Sequence, residues 1–339
     1  MPGASSVPAK SDPIITASAP AAKAFAISPE NFIPPSAINF VLLAPIPFFT
    51  FNIANANLYT IPGLNFYEEW DDTPWFKPEA GKDLINLDKI GCQTSKGKKT
   101  KCKLSLSPMY NFPKDTLFIQ NKIVRSGKYA WKFINGEGDC GQRRNGDDCK
   151  QNRERSEVSM SPPKSKETWF KFSIFIPEES EFTVPISNTI WQVHSQKGPP
   201  KFMFVISPNG DLQWQDFVNN SFGGFDSYKI LDAKYVKGKW NDFIVNIEFV
   251  KWPNQSFIKV WVNNKQIVNY VGMTNNNMSN KPYMKFGIYK SNINRFETLH
   301  KGNPPKRGDT IIYYDSIAIG KKCKDLNLEE ENNSCNKLK

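Results

Sequence analysis

The sequence predicts a β-hairpin at Ile258-Lys259-Val260-Trp261-Val262-Asn263-Asn264-Lys265-Gln266-Ile267-Val268. Two runs rich in β-branched residues flank the pair Asn263-Asn264, and two turn-forming residues between such runs are typical of a tight hairpin. We therefore expect residues 257–262 and 265–270 to form neighbouring antiparallel strands.

Strand-like runs recur after Ala56, whereas helical periodicity of useful length is rare. Gly, Pro, Asn and Asp separate the runs, for example at Asn209-Gly210 and Lys237-Gly238. The further predicted strands are residues 128–134, 154–160, 168–176, 189–195, 201–206, 211–216, 240–250, 283–289 and 310–319. Many short strands at close spacing favour an all-β fold, either a two-sheet sandwich or a jelly roll.

The composition is that of a folded, aromatic-rich protein. The chain has 339 residues, is 39% hydrophobic and contains 25 Phe, 11 Tyr and 9 Trp. Aromatic and β-branched residues favour sheets, and this content favours a folded protein over a disordered one despite 25 Pro. One all-β domain of about 200 residues or more is normal at this length.

The chain is strongly basic, with a formal net charge of +11 and a pI of about 9.2. Such a charge favours a polyanionic partner, which charge alone leaves open as nucleic acid, an anionic membrane surface or an acidic polysaccharide. Nucleic acid is supported by charge only, because the sequence has no zinc-finger spacing, RNP-like motif or basic helix. We expect an anionic polysaccharide partner, no nucleic acid or membrane partner, and a monomer.

Six cysteines fall into three close pairs: Cys92 and Cys102, Cys140 and Cys149, Cys323 and Cys335. This spacing suits local disulfides better than zinc, although fifteen connectivities are possible for six cysteines. We predict pairing between neighbours. Disulfides imply an oxidising compartment, so we expect a secreted or periplasmic protein.

Three regions are expected along the chain. Residues 1–56 form a disordered lead ending in a signal-like segment, an apolar run at 38–53 followed by Ala54-Asn55-Ala56. The alternative is a disordered lead with a buried hydrophobic strand. Residues 57–323 form the folded domain, and residues 324–339 form a polar, solvated tail that Cys323 and Cys335 would staple.

One predicted strand carries a glutamine and a histidine on the same face, because residues two apart in a strand point the same way. Gln192 and His194 would share their face with Ile190, while Trp191 and Val193 point to the other side. An imidazole beside an amide suits binding or deprotonation of a polar ligand, although a lone strand histidine is more often structural.

Two further strands place polar residues on single faces. In one, the period of two groups Arg153, Arg155 and Glu157, of which the last two alone would be read as a surface ion pair. In the other, the alternation sets an apolar core face against a polar row: Tyr283, Lys285, Gly287 and Tyr289. A glycine within a strand often marks close approach of a ligand or of backbone.

Three motifs together resemble the signature strands of jelly-roll polysaccharide lyases, the group of alginate lyases and heparin lyase I-like enzymes: Arg155-Ser156-Glu157-Val158, Gln192-Val193-His194 and Tyr283-x-Lys285-x-Gly287-x-Tyr289. The resemblance covers residues 57–323. It implies a β-jelly roll, which is a concanavalin A-like two-sheet sandwich. It also implies β-elimination of a 4-linked uronate polysaccharide, with no cofactor required and a structural calcium ion possible.

The resemblance also implies roles for five residues. His194 and Tyr289 match the catalytic positions, with either His194 as base or carboxylate donor and Tyr289 as acid, or Tyr289 as both base and acid. Arg155 and Gln192 suit neutralisation of the substrate carboxylate. A tyrosine base needs a nearby cation to stabilise its phenolate, and Lys285, four residues before Tyr289, is the expected source.

Substrate-binding candidates are the remaining basic or aromatic residues near these motifs: Arg143, Arg144, Arg153, Lys197, Lys201 and Tyr283. They would hold carboxylates or sulfates of the polysaccharide. Three tryptophans, Trp191, Trp214 and Trp240, would stack on sugar rings or fill the core, and we favour the core.

The main rival hypothesis is a non-catalytic carbohydrate-binding jelly roll, which would not need His194 and Tyr289. A jelly-roll hydrolase would need two carboxylic acids flanking the bond, and the Glu-x-Asp-x-x-Glu pattern of laminarinase-like hydrolases is absent from the sequence. The residues therefore favour elimination, but they do not name the sugar.

Overall fold

A computed structural model gives the fold of the chain. It describes residues 91–93, 99–101, 104–144, 146–160, 166–194, 199–218, 224–250, 254, 256–274, 283–326, 328 and 334–338, with backbone alone before residue 104. The predicted lead at 1–56 and its signal-like segment lie outside these residues. Among the described residues, no helix is long and apolar enough to cross a membrane.

Two antiparallel sheets of seven strands each pack against one another. The front sheet contains, from edge to edge, β13 (Asp226–Leu231), β12 (Leu212–Asp216), β11 (Phe202–Ile206), β10 (Asn188–His194), β17 (Tyr283–Ser291), β8 (Arg153–Met160) and β3 (Leu104–Ser107). The back sheet contains, in the same sense, β16 (Lys265–Gly272), β15 (Ser256–Val262), β14 (Trp240–Glu248), β9 (Glu167–Phe175), β18 (Thr310–Gly320), β5 (Ala130–Asn135) and β4 (Leu117–Gln120). This is the predicted all-β jelly roll.

Two short hairpins, one α-helix and four 3-10 helices complete the described elements. The hairpins pair β1 (Gly91–Gln93) with β2 (Lys99–Lys101), and β6 (Gln142–Arg143) with β7 (Gly146–Asp147). The single described α-helix, α1 (Asn294–Leu299), follows β17.

All eleven strands predicted from the sequence are present, with ends that differ by at most two residues. The hairpin turn is confirmed as well, because Asn263 and Asn264 have φ angles of 50° and 67°, the conformation of a two-residue type I′ turn. In the two large sheets, three edge strands were not predicted: β3, β4 and β13. They are short and mix polar with apolar residues, so their alternation is weak.

The core between the sheets is dominated by stacked aromatic rings. Trp191 of the front sheet packs against Phe204 at 4.9 Å between ring centroids and against Phe172 of the back sheet at 5.9 Å. Phe172 in turn stacks on Phe243 at 5.1 Å. Side chains of this size bury a large apolar area, which makes the two sheets a stable base for polar residues on the outer face of the front sheet.

A β-bulge interrupts the pairing of β10 with β17 between Thr189 and Trp191. Gly287 lies there with φ of +128°, and a Cβ on it would come within 2.3 Å of the carbonyl oxygen of Ser156. The glycine therefore permits close approach of backbone, one of the two possibilities expected from the sequence. The bulge also corrects the face predicted for Ile190, which is buried in the core rather than beside Gln192.

Tyr314 of the back sheet spans the core to this bulge. It is fully buried, and the single proton of its hydroxyl is shared between carbonyl oxygens on both strands, 2.5 Å from the oxygen of Ile190 and 3.0 Å from that of Gly287. These carbonyls belong to β10 and β17. A side chain of the back sheet thus forms hydrogen bonds with buried backbone carbonyls at the bulge of the front sheet.

Two of the three predicted disulfides are confirmed, Cys140–Cys149 and Cys323–Cys335. The side chains of Cys92 and Cys102 lie outside the description, so that pair stays a prediction. The tail differs from the solvated end expected for residues 324–339. Three of its leucines are buried against Trp261 and Ala318 on the outer face of the back sheet: Leu326, Leu328 and Leu338. Their apolar side chains, rather than the polar majority, determine where the tail lies.

Candidate active site

The three motif strands are direct neighbours in the front sheet, in the order β10, β17, β8. Their antiparallel register places four pairs of residues opposite one another: Gln192 and Lys285, His194 and Tyr283, Tyr289 and Arg155, Gly287 and Glu157. Residues that are far apart in the sequence therefore meet on one face of one sheet.

Glu157 lies at the centre of this face and is 1% exposed. Its carboxylate accepts hydrogen bonds from Arg155 Nη1 at 2.7 Å and from Gln192 Nε2 at 2.5 Å. Lys285 Nζ lies 3.5 Å from it. We call these four residues the Glu157 cluster. From the sequence, Glu157 is expected only to form an ion pair, although the period of two places it on the same face as Arg155.

Arg155 is held between two carboxylates and an aromatic ring. Its Nε donates to Asp148 at 2.8 Å, its Nη1 donates to Glu157, and its guanidinium lies 4.0 Å from the ring centroid of Tyr289. Burial acts to lower the pKa of Arg155, but Glu157 and Asp148 outweigh it and raise that pKa. Arg155 is therefore a permanent cation, fixed beside the predicted catalytic tyrosine.

Lys285 contacts Glu157 and Ser107. Its Nζ donates to Ser107 Oγ at 3.0 Å, which turns the ammonium toward β3. Burial lowers the pKa of Lys285 to about 8, although the Glu157 carboxylate acts in the opposite direction. Lys285 is the cation expected beside Tyr289 from the sequence, but the cation that lies against the Tyr289 ring is Arg155.

Three rings on this face are only partly buried: His194, Tyr283 and Tyr289. The Tyr283 hydroxyl lies 3.4 Å from His194 Nδ1, and the two rings stack at 5.5 Å. Burial raises the pKa of Tyr283, and the negative charge of Glu157 adds to this effect. The titratable rings are thus accessible, whereas the charged side chains of the Glu157 cluster are buried.

The predicted substrate-binding arginines lie beside the site with different degrees of exposure. Arg143 is half-buried and forms an ion pair with Asp148, with Nε 2.8 Å from Oδ1. Arg153 Nη1 donates to Gln151 Oε1 at 2.7 Å. Arg144 is exposed. Arg143 is thus linked to Arg155 through one shared carboxylate.

Of the two predicted substrate-binding lysines, only Lys201 is among the described residues. Lys201 is buried, and burial lowers its pKa. Its backbone N–H donates to the carbonyl of Val193 in β10, so the residue lies next to the end of the strand that carries His194. Lys197 lies outside the described residues and stays a prediction.

The tryptophans are mainly structural. Trp191 and Trp214 belong to the buried core, as predicted. Trp240 is half-buried and packs on Phe175 at 5.7 Å in the back sheet. None of the three is placed on the face of the Glu157 cluster, so stacking on a sugar receives no support from their positions.

No group of three or more His, Cys, Asp or Glu side chains that could hold a metal ion occurs among the described residues. The calcium ion implied by the resemblance stays a prediction.

A second set of buried charges lies on the core side of the same strands. Lys290 is completely buried, and its Nζ donates to the carbonyl of Asn135 at 2.8 Å. It lies 3.9 Å from Glu154, which also binds Arg307. Burial lowers the pKa of Lys290 to about 8, against the opposite effect of Glu154.

We expect the free energy of unfolding to rise between pH 8 and pH 9.5, and Lys290→Met to lack part of this rise. An unfolded lysine keeps its proton to about pH 10.4, whereas folded Lys290 loses it near pH 8. The unfolded state therefore binds more protons in this window, so stability increases with pH. Between pH 8 and pH 9.5, the unfolding free energy of wild type should rise by about 2 kcal/mol more than that of Lys290→Met, as measured by urea unfolding. Parallel pH profiles would contradict the assignment.

Several solved structures are similar to this chain. The structure is similar to an endo-β-1,4-glucuronan lyase from the fungus Trichoderma reesei, with 17% identity and a TM-score of 0.48 over 64% of this chain and 93% of that chain. It is also similar to an alginate lyase from Pseudomonas aeruginosa, with 14% identity and a TM-score of 0.42 over 61% of this chain and 86% of that chain. An alginate lyase from Klebsiella pneumoniae has 11% identity and a TM-score of 0.43 over 62% of this chain and 85% of that chain.

No curated protein matches the chain significantly. A family model described as "Polysaccharide lyase" matches residues 92–318, which is more than half of the chain and includes every residue of the Glu157 cluster, His194 and Tyr289. The chain therefore belongs to the polysaccharide lyase family.

Proposed function

We propose that this polysaccharide lyase acts on a 4-linked uronate polysaccharide and cleaves it by β-elimination. The observation that carries the proposal is the face of β8, β17 and β10, where the accessible rings of His194 and Tyr289 accompany the buried cations Arg155 and Lys285. Elimination needs a proton acceptor, a proton donor and fixed charge, and this face carries candidates for all three.

The reaction requires fixed charge for a specific reason. A base removes the proton from C5 of the uronate, the electron pair of that bond forms the C4–C5 double bond, and the C4 oxygen leaves and takes a proton. The carboxylate on C5 is already ionised, so negative charge accumulates next to it as the proton leaves. Preorganised cations and hydrogen-bond donors stabilise that charge without having to reorient.

The charges of the site match one uronate carboxylate. Three cations, Arg143, Arg155 and Lys285, are in contact with two carboxylates, those of Asp148 and Glu157. The set carries one excess positive charge while Lys285 is protonated. We assign Arg155 and Gln192 to stabilisation of the substrate carboxylate, with Glu157 orienting both because it accepts a hydrogen bond from each.

His194 and Tyr289 carry the proton transfers in this proposal. Either His194 removes the C5 proton and Tyr289 protonates the leaving oxygen, or Tyr289 does both while His194 donates to the carboxylate. Arg155, 4.0 Å from the Tyr289 ring centroid, supplies a cation that stabilises a phenolate. The stereochemistry of the uronate decides between the two schemes.

The setting of the enzyme follows from charge and disulfides. A net charge of +11 attracts polyuronate chains. Two disulfides among the described residues are consistent with an oxidising compartment, so we propose that the enzyme is secreted or periplasmic and acts as a monomer.

We expect the protein to release unsaturated uronate ends from at least one polyuronate. The assay incubates it with alginate, glucuronan, heparin, heparan sulfate and chondroitin, and follows the ultraviolet absorbance of the new double bond. A hydrolase would instead produce reducing ends without that absorbance. Reducing ends without absorbance, or no product from any of the five, would contradict the proposal.

A further inference from the structure

We propose that Asp148 is a positioning residue of the active site and that the Cys140–Cys149 disulfide holds it in place. The inference rests on the proposed function, since it concerns how Arg155 is aimed at Tyr289. It assigns a catalytic consequence to a loop that carries none of the motif residues.

Asp148 is completely buried, yet it contacts cations rather than the apolar core. Its Oδ2 accepts from Arg155 Nε at 2.8 Å, and its Oδ1 lies 2.8 Å from Arg143 Nε. A carboxylate without exposure is costly unless it is paired, and here both of its oxygens are paired with guanidinium groups. A residue with this environment is placed to fix those two side chains.

The loop holds Arg155 from two directions. The carbonyl of Asp139, just before Cys140, accepts from the backbone N–H of Arg155 at 2.7 Å. The side chain of Asp148, just before Cys149, binds the guanidinium of the same arginine. The disulfide therefore joins the two points of the loop at which Arg155 is held.

Apart from the disulfide, the loop is anchored by backbone hydrogen bonds between Gln142 and Tyr110 and from the N–H of Arg153 to the carbonyl of Asp148. Between the two cysteines, its regular structure is a hairpin of two-residue strands, β6 and β7. Short hairpins are marginal on their own in water. Without the covalent link, we expect the remaining hydrogen bonds to hold Asp148 less firmly against Arg155, whose other carboxylate partner is Glu157. A long arginine side chain released on one side gains rotamer freedom and no longer stays fixed against Tyr289.

The second disulfide provides a matched control. Cys323–Cys335 has a sequence separation of 12, against 9 for Cys140–Cys149. Its cysteines lie with the tail on the outer face of the back sheet. Because loops of similar length give similar chain-entropy effects, removal of either disulfide should lower the melting temperature by a comparable amount.

The test compares Cys140→Ser/Cys149→Ser with Cys323→Ser/Cys335→Ser, each assayed well below its own melting temperature. We expect kcat of the first variant to fall about 10- to 100-fold with little change in KM, because a displacement of about 1 Å in a catalytic group has this effect. The control should stay within about twofold of wild type. Equal losses in both variants, or full activity in the first, would overturn the inference.

A second measurement does not depend on activity. In 15N-labelled protein, the Nε–H of Arg155, identified by its loss in Arg155→Lys, should be protected from solvent exchange because it is buried against Asp148. Protection should disappear in Cys140→Ser/Cys149→Ser and persist in the control. If the first variant does not fold, Asp148→Ala removes the same hydrogen bond with the disulfide intact. Retained protection and kcat would then refute the assignment, whereas an inactive wild type would contradict only the proposed function.

Discussion

Tyr289→Phe is expected to lower kcat by about 1000-fold or more while the protein stays folded. Proton transfer by a positioned side chain contributes about 100- to 10,000-fold, and a residue that serves as both base and acid lies at the upper end of that range. Phenylalanine keeps the ring that contacts the Arg155 guanidinium, so the substitution removes the hydroxyl with little change to the packing. The measurement is the initial rate of absorbance increase with the polyuronate that wild type cleaves.

Tyr313→Phe is the matched control. Tyr313 lies on β18 of the back sheet, packed against Phe175 at 6.0 Å, and its loss of a hydroxyl should leave kcat unchanged. Retained activity in Tyr289→Phe would remove this residue from the mechanism.

His194 belongs to the same prediction, and two substitutions separate its possible roles. His194→Ala should also abolish turnover. His194→Gln keeps an N–H donor but cannot accept a proton at neutral pH. If His194 only donates to the substrate carboxylate, the glutamine variant should retain part of the activity that alanine loses. If His194 is the base, both variants should be equally inactive.

Glu157→Gln is expected to have the second largest effect, on both stability and rate. Removal of one partner from a buried ion pair costs about 3 to 5 kcal/mol, because the other charge is left uncompensated. Here the remaining charges are Arg155 and Lys285. Without the carboxylate the pKa of Lys285 should fall further below about 8, so its positive charge would be lost near neutral pH. We expect a decrease in kcat of about 100- to 1000-fold, measured together with urea unfolding.

A compensating substitution makes this prediction specific. Gln192→Glu alone places two carboxylates together and should also destabilise. The double variant, Glu157→Gln/Gln192→Glu, restores one carboxylate and one amide across the same contact. Unfolding free energies of the four proteins should therefore deviate from additivity by about 1 to 3 kcal/mol in favour of the double variant. Additive losses would show that Glu157 and Gln192 do not act as a pair.

The strands were predictable because their information is local. Alternation in residues 283–289 and the turn at Asn263-Asn264 depend on neighbouring residues only, and both were correct. The bulge was not predictable, since it arises from how β17 meets β10 and β8. The glycine at 287 indicated a close approach in the sheet. That Ile190 turns into the core could not be predicted, because it depends on how the neighbouring strands pair.

The site was predictable as a set of motifs but not as a network. The resemblance brought His194, Gln192 and Tyr289 together in one proposal, and the strand order placed them on one face. The sequence indicates that Glu157 shares a face with Arg155. It does not indicate that Glu157 is buried, or that its carboxylate contacts the other members of the Glu157 cluster. Asp148 had no periodic signal at all, because it lies in a loop.

Tyr314 contacts β10 and β17 from the core, away from the outer face that carries the candidate active site. The hydroxyl reaches the carbonyls of Ile190 and Gly287 from the opposite sheet. It therefore links the strand of His194 to the strand of Tyr289 on the core side of the front sheet. Residues of the outer face and of the surrounding loops can therefore vary without loss of this link between β10 and β17.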